Sequence, residues 1–150
     1  MRTAWPLLVL LLCTAATAQE LVVNGGLEQT GRCPRGPVVK KLQAHGGVKA
    51  VQGDPDLYAA CSEACGVPQN WSGAQPAWEG ARYAGLALTS DMPDECGQRE
   101  YLQFPLAAPL ENGRRYRLTF RICVAEYAGY YTDRVGAFFS TEDHGRKGLP

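Results

Sequence analysis

The sequence predicts an all-β fold built as an antiparallel sandwich, and two observations carry that prediction. Glycine and proline are abundant, 17 and 10 residues, and stand as punctuation between short apolar runs. That arrangement suits many turns rather than long helices. Residues 115–125 also alternate strictly, with Tyr116, Leu118, Phe120, Ile122 and Val124 on one side and Arg115, Arg117, Thr119, Arg121 and Cys123 on the other. A period of two marks a half-buried strand, because successive side chains leave opposite faces of a pleated chain.

In chain order, residues 1–18 read as a secretory signal peptide. Arg2 supplies the positive charge, Trp5 to Cys13 is apolar apart from Pro6, and Ala16 and Ala18 put small residues before a cut at Gln19. The apolar run is shorter than the roughly 20 residues that a membrane-spanning helix needs. Leu12 stands before Cys13 where lipidation asks for a small residue. Residues 19–150 are therefore expected to form one exported domain: periplasmic, outer-membrane-associated or extracellular, with no transmembrane segment.

Glu20 to Val23 reads as a first strand, stopped by Asn24-Gly25. From Gly31 to Gly80 clustered turn residues, including Cys33-Pro34-Arg35-Gly36-Pro37 and Gly53-Asp54-Pro55-Asp56, predict long loops with at most short strands. So long a loop region is functional or pinned by cross-links, and Cys33, Cys61 and Cys65 lie inside it. Arg82–Leu88 and Arg99–Phe104 read as strands, the latter ended by Pro105. After the turn Glu111-Asn112-Gly113 come the strand 115–125, a tyrosine-rich loop over 126–132, and a last strand at Arg134–Ser140. The tail Gly145–Pro150 is loop-like. A jelly-roll sandwich uses about eight strands, so the expectation is a jelly-roll-type domain that lacks its last strands and exposes an unpaired edge.

Charge narrows the partners. Without Arg2 the chain carries 14 Lys and Arg against 15 Asp and Glu, a net of −1. That is no footprint for nucleic acid and no polybasic patch for an anionic membrane. Cys33, Cys61, Cys65, Cys96 and Cys123 follow the cleavage point. In an exported protein they are disulfide candidates, and the odd number leaves one thiol over. Two bridges among them allow about 15 pairings, between which the sequence does not choose. A zinc site would want two close cysteine pairs, whereas Cys61 and Cys65 form a single C-x-x-x-C.

Several short segments fall in a recognisable order: Leu21-Val22-Val23-Asn24-Gly25-Gly26-Leu27-Glu28, Cys33-Pro34, Pro55-Asp56-Leu57-Tyr58, Val67-Pro68-Gln69-Asn70, Tyr83-Ala84-Gly85-Leu86, Arg99-Glu100-Tyr101-Leu102-Gln103, and Asp133-Arg134-Val135-Gly136 running on to Ser140. The series resembles the jelly-roll ectodomains, of carbohydrate-binding-module or galactose-binding-like type, on exported bacterial cell-surface and outer-membrane-associated proteins. Leu27 stands where that pattern has Phe. The resemblance implies a binding domain, and a structural calcium ion held by Glu28 with Asn24 as neighbour. Calcium takes six to eight oxygen ligands, which a carboxylate beside turn carbonyls begins to supply.

The residues themselves suggest a sugar surface. Trp71 and Trp78 fall in loops, and Tyr127, Tyr130 and Tyr131 crowd one turn. Flat aromatic faces accept the apolar face of a pyranose, with Asn70, Gln75 and Asp133 in reach of its hydroxyls. Against that, Trp78 and Tyr83 are expected to pack inward, and Asp133 to cap the turn into the last strand. Arg115, Arg117 and Arg121 suit an anionic glycan, but an ordinary solvated face paired to acids such as Glu100 accounts for them better. Asn70-Trp71-Ser72 has the form of a glycosylation sequon.

No nucleophile elbow, zinc-protease helix or phosphate loop is present in the sequence. The expectation is a non-catalytic binding module for glycan or cell-envelope polymer. The alternative is a structural or adhesion domain that meets another surface protein, with a small glycoside hydrolase behind both.

Overall fold

The structure is a computed structural model that describes residues 19–29, 32–36, 47–88 and 99–144. Residues 1–18, expected to be a signal peptide, Cys96 and the tail 145–150 lie outside the described residues. Among those described there is no helix, only short strands, so the chain is all-β. The strands are β1 (Lys49–Gln52), β2 (Asp56–Ala59), β3 (Gln69–Asn70), β4 (Gly73–Ala74), β5 (Arg82–Gly85) and β6 (Tyr101–Gln103). They pair antiparallel as β1–β6, β2–β5 and β3–β4.

The two larger ribbons share one small core. Leu57 of β2 is fully buried, as are Val48 before β1 and Leu27 from the N-terminal turn. Ala84 of β5, Leu102 of β6 and Phe104 pack against them. Alternation places Leu57 and Ala59 on one face of β2 and Tyr58 on the other. All three are buried, so both faces of β2 are covered.

The N-terminal segment pairs as its apolar run predicts. Val22 bridges Leu106 antiparallel, with Val23 N–H donating to Pro105 O and Ala107 N–H to Leu21 O. The chain then turns on Asn24, where Leu27 N–H donates to Asn24 O at 2.9 Å. Asn24 and Leu27 both have positive φ, 55° and 60°. A leucine in that conformation costs about 1 kcal/mol, which burial of its side chain offsets.

Three glutamates, Glu28 and Glu126 exposed and Glu100 half-buried, tie distant segments together. Glu28 accepts from Ala81 N–H, Glu100 from both Asp54 N–H and Ala87 N–H, and Glu126 from Ala74 N–H. Each carboxylate meets a tight turn whose glycine, Gly80, Gly53 or Gly73, has positive φ. The Cys33–Cys61 disulfide, with Cα atoms 5.9 Å apart, pins the long loop, and Ser62 Oγ–H donates to Pro34 O beside it. Cys65 is a buried thiol and Cys123 an exposed one.

Two sequence expectations fail. Residues 115–125 alternate as a strand does, yet among the described residues they pair with nothing, and Tyr116, Leu118, Phe120, Ile122 and Val124 are all exposed. Residues 134–140 are likewise unpaired, with Phe138 and Phe139 exposed. Alternation encodes two faces but not a neighbour, and a strand exists only where another backbone takes up its N–H and C=O groups.

Candidate functional site

The aromatic surface begins with the β3–β4 hairpin. Asn70 Oδ1 accepts from Ser72 N–H at 3.0 Å and from Ser72 Oγ–H at 2.7 Å, which closes the turn over Trp71 and Ser72. The Asn70 amide also donates to Gly66 O at 3.1 Å and to Tyr83 OH at 2.6 Å, anchoring the hairpin to β5. Gln75 N–H donates to Pro68 O and lengthens the ladder. Trp71 therefore stands at the tip of a braced turn, 59% exposed.

The tyrosine-rich loop is fastened to this hairpin. Tyr127 N–H donates to Ser72 O at 3.2 Å, and Ala74 N–H donates to Glu126 Oε2 at 2.9 Å. Gly73 permits the approach: a Cβ there would lie 2.8 Å from Glu126 Cβ. The Tyr127 amide thus reaches the residue that follows Trp71, although the two segments are remote in sequence. Tyr130 and Tyr131 follow in the same loop, exposed like Tyr127.

Beneath the hairpin lies a polar aromatic layer. The Tyr58 and Tyr83 rings sit 5.0 Å apart, and Tyr58 OH donates to Asp56 Oδ2 at 3.3 Å. Burial pushes the Asp56 carboxyl up to about 6; the Tyr58 hydroxyl acts against this, while Glu100 and Asp54 add to it. Burial also pushes the Tyr58 and Tyr83 hydroxyls and the Cys65 thiol upward.

Several side chains stand elsewhere than expected. Trp78 is not packed inward: it is 74% exposed, with the Arg121 guanidinium 4.0 Å from its ring centre. A cation over an indole face is stable in water, so Trp78 needs no core position. Glu100 does not pair with the arginine face, because its oxygens take backbone N–H groups. The cap at the turn before residue 134 is the Thr132 hydroxyl, which accepts from Arg134 N–H, while Asp133 is exposed. Asn70 is bound within the hairpin, and the Gln75 amide donates to Pro76 O. The loop and the hairpin are joined by backbone groups of Ser72, Ala74 and Tyr127 with the Glu126 carboxylate, and backbone groups leave no mark on residue type. The one trace in sequence is Asn70-Trp71-Ser72-Gly73, which reads as a side-chain-closed hairpin tip.

Glu28 and Asn24, the residues expected to hold calcium, are engaged within the protein. Glu28 Oε1 accepts from Ala81 N–H at 2.8 Å and its Oε2 lies 3.8 Å from Arg82 Nε, while Asn24 Oδ1 accepts from Gln29 N–H at 2.9 Å. The calcium expectation rests on the resemblance alone.

Comparison with protein-family models, curated proteins and solved structures finds no match to this chain.

Proposed function

We propose that this chain is a non-catalytic, exported binding module of jelly-roll type that holds glycan or cell-envelope polymer on the platform of Trp71 and Tyr127, extended by Tyr130 and Tyr131. One observation supports this reading: the Tyr127 N–H to Ser72 O bond, which brings the backbone of one exposed aromatic residue to the neighbour of another, Trp71, on a braced hairpin. Exposed, preorganised rings bind sugar faces with little ordering cost. Asp133 and the remaining oxygen of Glu126 are the acceptors for sugar hydroxyls. Export follows from the 1–18 segment, and the Cys33–Cys61 bridge is compatible with it. No helix among the described residues is long and apolar enough to cross a membrane.

The test is a glycan array with a pull-down on insoluble polysaccharide, run with Trp71→Ala and Tyr127→Ala. Each variant is expected to lose about tenfold in affinity with its melting temperature unchanged, because neither ring is buried. Unaltered binding in both removes the platform. Sugar release from the same polymers replaces the module with an enzyme.

A further inference from the structure

The segment 115–125 has the alternating sequence of a strand but is not one, because no backbone among the described residues pairs with it. Among the described residues the backbone groups of 115–124 make no backbone hydrogen bond. The apolar half of the alternation is exposed along its whole length, from Tyr116 at 42% to Ile122 at 67%. A contiguous apolar surface of this kind marks an interaction site. The segment is held at both ends: Arg114 pairs with Glu111 before it, and Glu126 and Tyr127 are fastened to the β3–β4 hairpin after it.

The other half of the alternation says what would lie beside it. In extended conformation Arg115, Arg117 and Arg121 would share one face. Arg121 rests on Trp78, and among the described residues neither Arg115 nor Arg117 lies within ion-pair distance of an acid. In a paired sheet, residues directly opposite share a face, so apolar meets apolar and arginine calls for acid. A second copy of this chain fails that condition: antiparallel self-pairing centred on Thr119 would put Arg117 opposite Arg121, and like charges directly opposite are destabilising.

We propose that residues 115–125 are the docking edge for an extended strand of another protein, one that alternates apolar with acidic residues and adds to this chain by backbone pairing. The occupant supplies the missing N–H and C=O partners, covers the exposed apolar face, and sets carboxylates against Arg115 and Arg117.

Hydrogen exchange of the whole chain tests this, with synthetic peptides of alternating valine and glutamate, valine and serine, or valine and lysine as probes. The glutamate peptide is expected to slow exchange of the amides of 115–125, with an affinity about tenfold above the lysine peptide and falling as salt rises. The double variant Arg115→Glu, Arg117→Glu should reverse the preference in favour of the lysine peptide, which shows that a folded edge is still present. Equal protection by all three peptides, or by none, overturns the proposal. So does protection in the free chain at high dilution, or protection that grows with protein concentration alone, which assign the edge to the chain itself or to a second copy.

Discussion

At the scale of single residues, Asp56 and the two free thiols among the described residues report most directly on the environment. The Asp56 carboxyl is raised from 3.8 to about 6, chiefly by burial, so the folded state disfavours its charge. The contribution of Asp56 to stability is full below about pH 4 and is lost as pH rises through about 6, because the unfolded chain ionises first. Asp56→Asn is expected to stabilise the chain by about 1 kcal/mol at pH 7.5, a figure discounted for solvent screening at a half-exposed site. It should change little at pH 4, as read from urea melts of variant and parent at both pH values. The thiols separate by access. Cys123 is exposed, whereas Cys65 is buried and its thiolate disfavoured. Brief alkylation of the native chain should mark Cys123 and spare Cys65, with both marked after denaturation, as peptide mass spectrometry would show.

At the scale of elements, the recurring device is a glutamate from one segment that receives a backbone N–H at a glycine turn of another. Glu28, Glu100 and Glu126 each do this across a wide span of sequence. The sequence marks the turns, since Gly53-Asp54 and Trp71-Ser72-Gly73 are plain turn signals. It does not mark the partners, since a glutamate that caps a remote turn is chemically the same as a solvated one. Glu28→Ala is expected to cost about 1 kcal/mol through the lost Ala81 bond. Chelation of calcium should leave the melting temperature of the parent unchanged; a fall on chelation, absent from Glu28→Gln, would assign the ion to this carboxylate. Tyr83 packs against Tyr58 as its half-apolar character suggests, while Trp78 lies open because Arg121 reaches its face.

At the scale of the whole molecule, the core is small. Leu27, Val48 and Leu57 carry it, with neighbours from β5 and β6, while large apolar side chains of the C-terminal third face outward. Such a domain depends on its covalent brace. The Cys33–Cys61 bridge closes a loop of sequence separation 28. Its loss is expected to cost about 3 kcal/mol through the freedom gained by the unfolded chain. Cys33→Ser with Cys61→Ser, compared with the parent by denaturant titration, measures that cost. A midpoint that does not move would mean that the packing of the two ribbons alone sustains the fold.

Local chemistry alone settled the all-β class, the turns, the short strands of the loop region and the pairing tendency of Glu20–Val23, because glycine, proline and period two act within a few residues of themselves. Tertiary structure decided which cysteines join, which amides each glutamate receives, that the Tyr127 amide meets Ser72, and that 115–125 runs without a partner among the described residues. Those are meetings between segments remote in sequence, and hydrogen bonds to a backbone are blind to the side chain it carries.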